Sequence, residues 1–286
     1  MIFLTGATGT VGSSLLARLA ERGASSRALA HSLAGREVIE RFGVEAVEGD
    51  FDRPDTLERA MAGCDHLFLL SPPHPDQPTR EKAAIDAAKR AGVSHVVALS
   101  VMGADPASPV AFGRWHADVD EYLVGSGLGY TILRPAAFMQ VHLLPVDTIR
   151  SQGRWYGMAG DGAAGYIDVD DVAAVAAEAL TSHGRAAATY ELTGPAAISM
   201  PQAAAVLSEV IGRRVDYVDV PSDQFRANLA AAGLPAWIAD ALVALYQTVR
   251  AGHAATVTNA VQEVLGRSAR SYRQFAEAHK DVFAGA

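Results

Sequence analysis

The sequence predicts an α/β fold, a doubly wound parallel sheet followed by a smaller, mostly helical C-terminal lobe. Three observations predict it. Short apolar runs alternate with helical patterns over the first half of the chain. Two of the runs, His66–Leu70 and Val96–Leu99, are almost continuously apolar, as strands covered on both faces are. A glycine-rich string, Gly6-Ala7-Thr8-Gly9-Thr10-Val11-Gly12, stands directly between the first run and the first helix.

In chain order, the candidate strands are Ile2–Thr5, Arg27–Ala30, Val44–Glu48, His66–Leu70, His95–Leu99 and Tyr130–Leu133. Val11, Leu15 and Leu19 share one helix face before a stop at Gly23. Thr56–Met61 and Arg80–Ala91 read similarly, the latter ending at Gly92. Strands joined by helices of this length need right-handed crossovers, hence a parallel sheet. Further on, Asp168–Ser182 is a helical segment headed by acids and Tyr190–Thr193 a short strand. Ser199 and Gln202 have capping-box spacing ahead of Ala203–Ile211, and Val215–Val220 alternates as a strand should. From Ser222 onward the chain reads as helix and turn. A soft boundary near Arg134-Pro135 divides a dinucleotide-binding domain, 1–135, from a substrate lobe, 136–286, partly interleaved with the sheet.

The 286 residues suffice for one large or two closely joined domains, and half hydrophobic with a fifth charged is ordinary for a packed protein. A formal charge of −8 argues against a nucleic-acid binder, which needs clustered Lys and Arg. Cys64, the only cysteine, excludes an internal disulfide and a cysteine-built zinc site and fits a reducing compartment. Met1-Ile2-Phe3-Leu4-Thr5 has no basic n-region, and no apolar stretch approaches about 18 residues. A cytoplasmic protein with no membrane partner is expected.

The glycine string has the spacing G-x-x-G-x-x-G. Glycines in that context let the backbone turn, approach a pyrophosphate and pack helix on strand, while the helix N-terminus offers free N–H groups. This is the mark of a Rossmann-type dinucleotide site, the alternative being a plain strand–helix turn. An acid about 20 residues on would accept the ribose 2′-hydroxyl of NAD. His31-Ser32 stands there instead, with Arg36 close and no carboxylate until Glu37, which favours NADP(H) over NAD(H). His31 reads equally as a surface histidine. Asp50-Phe51 follows the third strand and suits adenine, although Asp50 reads equally as a turn or cap residue. Ser71-Pro72-Pro73 and Ser100 end the fourth and fifth strands, where ligands collect in open α/β sheets. Asp168, Asp170 and Asp171 are accounted for by a helix dipole, so no metal is expected, and no flavin.

As a set, several segments resemble the NmrA-like, atypical branch of the short-chain dehydrogenase/reductase superfamily. They are Thr5–Gly12, Gly49-Asp50-Phe51, Val93–Ser100, Ser126–Pro135, Phe138-Met139, Gly160-Asp161-Gly162, Ile167–Ala173 and Leu192–Pro195. Within that branch the chain looks nearest to type-2 NAD(P)H:quinone oxidoreductases. The resemblance implies a nicotinamide cofactor held by Gly6, Thr8, Gly9, Thr10, Val11, Gly12, His31, Asp50, Phe51, Ser71, Pro72, Ser100 and Pro135.

The Tyr-x-x-x-Lys pair of ordinary short-chain dehydrogenases is missing, since Tyr122 is followed four residues on by Ser126. By alignment, His116 falls where isoflavone-reductase-like proteins carry a lysine and quinone-reductase relatives a histidine. An imidazole there suits the nicotinamide ribose or a reduced substrate oxygen, with Asp120 one helical turn on to orient it, although a histidine on an amphipathic helix reads equally as a polar surface or packing residue. Phe138, Met139, His142, Trp155 and Tyr156 are candidates to line an apolar substrate slot, although each taken singly reads more readily as core; Val141-His142 stands where many relatives place Asn. The expectation is an NAD(P)H-dependent oxidoreductase that reduces a quinone or conjugated carbonyl by direct hydride transfer, with aromatic natural-product tailoring as one setting. The rival is a nicotinamide-binding sensor that regulates a partner without turnover; an epimerase fits the glycine loop but lacks the tyrosine dyad. A homodimer or a protein partner stays open.

Overall fold

The computed structural model describes residues 1–182 and 187–285. Among the described residues the chain forms two compact units, neither continuous in sequence. The first comprises Met1–Ala107, Gly113–Pro135 and Val169–Glu191; the second comprises Ser108–Phe112, Ala136–Asp168 and Leu192–Ala286. No described helix is long and apolar enough to cross a membrane.

In the first unit β1 (Ile2–Leu4), α1 (Thr10–Glu21), β2 (Ser26–Ala30), α2 (Leu33–Glu40), β3 (Glu45–Glu48), α3 (Pro54–Met61), β4 (His66–Leu69), α4 (Gln77–Ala91), β5 (His95–Leu99), α5 (Ala111–Gly125) and β6 (Gly129–Pro135) follow in order. In the second unit, after Ser108–Phe112, come a 3₁₀ turn (Met139–Leu143), α6 (Val146–Gln152), β7 (Arg154–Gly157) and β8 (Ala163–Ala164). The chain then returns to the first unit with α7 (Val169–Thr181) and β9 (Ala188–Leu192). The remainder of the second unit is β10 (Ile198–Ser199), α8 (Met200–Ile211), β11 (Asp216–Asp219), α9 (Ser222–Ala231), α10 (Ala236–Arg250), α11 (Ala260–Leu265), α12 (Tyr272–Ala278) and α13 (Lys280–Ala284).

The main sheet has the order β3-β2-β1-β4-β5-β6-β9, and neighbouring pairs from β3 to β6 run parallel. Register puts Phe3, Leu67 and Val96 in one row and Leu4, Phe68 and Val97 in the next. Because side chains alternate across a strand, the rows face opposite sides. The first row packs against Leu57, Ile85, Val119 and Leu123 of α3, α4 and α5. On the other side α7 lies over β4, β5 and β6 and packs against α1. A helix between sheet and helix must be apolar nearly all round. Accordingly Val172, Ala173, Val175, Ala176 and Ala177 are all inaccessible.

Local signals account for the helix ends. Gly92, in the left-handed conformation at φ 86°, terminates α4, and the Ser199–Gln202 capping box opens α8. Helix α4 begins at Gln77, three residues before the periodicity suggests, because Pro78 is well suited to a first turn. The sequence reading passed over α2, a short helix whose N-terminus is capped by Ser32 accepting from the Gly35 N–H at 3.1 Å. It also passed over β7, β8 and β10. The last two are two-residue strands that pair with each other, and β7 pairs with β11 about sixty residues on.

Candidate active site

Strand order reverses between β1 and β4, so the crevice beyond their C-terminal ends is the switch point at which open α/β sheets bind ligands. The Thr5 hydroxyl staples the two ends together, donating to the Leu70 carbonyl at 2.9 Å and accepting from the Leu70 N–H at 2.8 Å. Gly6 then turns with φ +63°, and a Cβ on it would lie 2.9 Å from the Leu70 carbonyl oxygen. A Cβ on Gly12 would lie 2.0 Å from the Gly6 carbonyl oxygen, so the loop closes only around glycine. Gly9 differs. It is exposed, its φ is ordinary at −79°, and a Cβ on it would meet only Gly6 O at 3.4 Å. A side chain there would meet little of the chain itself, so glycine leaves this stretch of backbone open to close approach from outside.

Gly9 is also the N-cap of α1; no side chain caps the helix, and its first turn holds no acid. Its leading N–H groups are thus open to a diphosphate, and the dipole favours one. Thr8 and Thr10 are exposed beside them, while the Val11 side chain is buried and only its backbone is available. The residues present fit a dinucleotide.

At the end of β2, His31 is exposed, and its charge when protonated would favour ionised Asp50. Arg36 is engaged elsewhere: it donates to the Ala46 carbonyl at 3.0 Å and pairs with Glu40. Asp50 builds a turn, accepting from the Asp52 N–H at 2.9 Å, and that hydrogen bond holds its carboxyl below the ordinary value. Its neighbour Phe51 is half-buried against the core.

Ser71 is buried beyond β4, and its hydroxyl donates to Glu81 Oε1 at 2.6 Å; Pro72 beside it is exposed. Ser100, beyond β5, donates to Asp120 Oδ2 at 2.9 Å, and Arg134 binds the same carboxylate at 2.9 Å. Pro135 is buried, and its carbonyl accepts from the Met102 N–H at 2.9 Å.

His116 is 9% exposed on α5. The expectation that Asp120 orients its ring is corrected here, because Asp120 is committed to Ser100 and Arg134. The partner of His116 is Gln77, whose Nε2 lies 3.3 Å from His116 Nε2 and 3.2 Å from Glu81 Oε1. Burial depresses the His116 pKa to about 4 and raises that of Glu81 to about 7. Sequence reasoning missed Gln77 and Glu81. The signal was two polar residues one turn apart on the stripe of α4 that continues through Ala84, Ile85 and Ala88, all buried.

The slot candidates lie in the second unit. Phe138 and Tyr156 are half-buried, with the Tyr156 hydroxyl on Gln152 at 3.1 Å, whereas Met139 and Trp155 are core residues. His142 is 1% exposed and meets Trp155, Tyr166 and Tyr272 edge-on, with centroids 4.6, 4.5 and 5.3 Å away. That position is core, not a surface a substrate reaches. Asp168 is bound by Gln140 at 2.7 Å and Arg270 at 3.1 Å, and Asp170 accepts from Ser14 at 2.8 Å in the first unit. Among the described residues no group of three or more His, Cys, Asp or Glu is arranged to hold a metal.

A doubly wound sheet with an uncapped glycine loop at its switch point defines the class: a Rossmann-type dinucleotide-binding protein. The chain belongs to the NAD(P)H-binding family, whose model matches residues 6–183. It is 38% identical over 286 residues, all of both chains, to the NAD(P)H azoreductase of Xenophilus azovorans. It is 36% identical over 285 residues, 99% of each, to the (4-alkanoyl-5-oxo-2,5-dihydrofuran-3-yl)methyl phosphate reductase of Streptomyces griseus. The NADPH-dependent quinone oxidoreductase of Escherichia coli, complexed with NADPH, superposes with a TM-score of 0.88 at 26% identity, covering 97% of this chain and 99% of that one. The protein is an NAD(P)H-dependent oxidoreductase, and the reductase relatives do not favour the sensor reading.

Proposed function

We propose that this protein reduces a flat, electron-poor conjugated acceptor of the quinone class, with NADPH preferred over NADH. When bound, the dinucleotide supplies the hydride, and the chain binds, orients and desolvates the two reactants. The carrying observation is the state of His116. Buried, neutral and joined to Gln77, it can exchange a hydrogen bond with a substrate oxygen, yet at neutral pH it is no imidazolium acid. Such a site suits an acceptor that takes hydride without prior protonation, which a quinone does and an unactivated ketone does not. The names of the two full-length relatives, an azoreductase and a dihydrofuranone reductase, fit the same electron-poor, conjugated class. NADPH is favoured because β2 ends at His31 with no carboxylate before Glu37.

The test is consumption of reduced nucleotide, followed by absorbance, across a panel of quinones and simple ketones with each nucleotide. Turnover is expected with quinones and NADPH. His116→Ala should lower kcat by about ten- to a hundredfold, the scale at which a misplaced reactant costs rate. Tight nucleotide binding with no consumption by any acceptor would overturn the reading, and faster turnover with NADH would overturn the cofactor preference.

A further inference from the structure

A buried polar chain runs behind the candidate site. Ser71 follows β4, Gln77 and Glu81 lie one turn apart on α4, and His116 projects from α5. Glu81 Oε1 receives three contacts: the Ser71 hydroxyl at 2.6 Å, the Ser71 N–H at 3.3 Å and Gln77 Nε2 at 3.2 Å. Gln77 Nε2 then lies 3.3 Å from His116 Nε2. Glu81, Gln77 and His116 are 3%, 3% and 9% exposed, so water cannot stand in for any member.

Donor and acceptor roles follow from chemistry. A backbone N–H only donates, so Glu81 Oε1 is an acceptor towards Ser71. An amide oxygen turned to that same atom would set acceptor against acceptor, so Gln77 must present its NH₂. Both hydrogens of that group are then committed, one to Glu81 and one to His116. A ring nitrogen that accepts carries no proton, which places the His116 proton on Nδ1.

We propose that Glu81 is a positioning residue acting through Gln77: it fixes the Gln77 amide so that His116 keeps its proton on Nδ1 and Nε2 as an acceptor. The inference rests on the reading of His116 as the group that meets the acceptor. Ionised Glu81 enforces the arrangement. Protonated Glu81 can itself donate, and it permits the amide to flip, presenting its oxygen to His116 and moving the imidazole proton to Nε2. Ser71 and Gln77 bond the carboxyl, His116 is joined only to Gln77, and the Asp120 carboxylate, bound by Arg134, adds its field. With Glu81 titrating near 7, the tautomer responds to pH in the physiological range.

The experiment is ¹⁵N NMR of the His116 ring in the full chain, without nucleotide or acceptor, from pH 5.5 to 8.5. This readout is independent of turnover, so it fails or succeeds apart from the functional reading. Above pH 7.5 the expected spectrum has Nδ1 protonated and Nε2 bare, changing near pH 7 to a mixture. Glu81→Gln, nearly isosteric, should abolish that change. Gln77→Met should mix the tautomers at every pH and lower kcat about tenfold with little change in the NADPH KM, as loss of orientation alone would. A proton on Nε2 at high pH in the wild type overturns the proposal even if neither variant folds. So does a pH transition that persists in Glu81→Gln.

Discussion

At the scale of single residues, two buried imidazoles make the fold sensitive to acid. His116 and His142 stay neutral in the fold down to about pH 4 and about pH 3, because burial disfavours the cation. Unfolded, each takes up a proton near 6.5. The unfolded chain therefore binds more protons below 6.5, and stability falls on acidification by about 1.4 kcal/mol per pH unit for each imidazole. Glu81 acts in the opposite sense. Folded, it keeps its proton up to about 7, against 4.5 for a free glutamate, so its stabilising contribution is full below 4.5 and is lost as pH rises to 7. His142 offers the clean test, since among the described residues neither ring nitrogen has a hydrogen-bond partner and its neighbours are aromatic. His142→Leu should fold, keep its stability at pH 7.5, and lose about one proton from the acid slope between pH 4.5 and 6.5. Denaturant melts at several pH values measure this, and an unchanged slope would show that His142 is not held neutral by burial.

At the scale of elements, the junction of β1 and α1 separates two demands that a glycine pattern merges. Gly12 is required by the chain, since an added Cβ would sit 2.0 Å from Gly6 O; Gly9 has no such constraint. Gly12→Ala should destabilise the protein by about 1–3 kcal/mol, as overpacking does, and weaken nucleotide binding with it. Gly9→Ala should cost about 1 kcal/mol or less, the difference between glycine and alanine at an N-cap, yet weaken binding at least as much. Thermal melts with and without NADPH distinguish the two; equal affinity for Gly9→Ala and wild type would sink the close-approach argument. This junction was legible in the sequence because glycine spacing, the stop at Gly23 and the Val11-Leu15-Leu19 face are local. The partner of His116 was not. Helical spacing named Asp120, but β5 and β6 bring Ser100 and Arg134 to that carboxylate, and α4 offers Gln77 across 39 positions of sequence. Competition among distant donors decides such a contact, and no local rule ranks them.

At the scale of the whole chain, the sheet-bearing unit is completed by Val169–Glu191, which supplies α7 and the edge strand β9. Without them, the faces of β4, β5 and β6 under α7 would be bare. A chain cut after Pro135 should therefore show no cooperative unfolding and no stabilisation by NADPH. Adding back a separate 160–195 peptide should not restore them fully, because closure within one chain costs less entropy. Circular dichroism melts test this, and a cooperative, nucleotide-stabilised 1–135 fragment would contradict it. The family match, which runs to residue 183, takes in α7. The boundary near Arg134-Pro135 marks a change in pattern, while the fold is drawn by which apolar faces remain to be covered.

By itself the sequence determined the strand and helix alternation, the glycine loop with its open helix N-terminus, and the lack of a carboxylate after β2. Each follows from backbone sterics, helix periodicity or side-chain charge within a few positions. Only the tertiary structure decided that α7 belongs to the sheet, that His142 is core, that Asp50 is spent on a turn, and that Glu81 and Gln77 stand behind His116. Those outcomes depend on long-range packing, in which burial and the demand of each buried polar group for a partner select among contacts that the linear order leaves open.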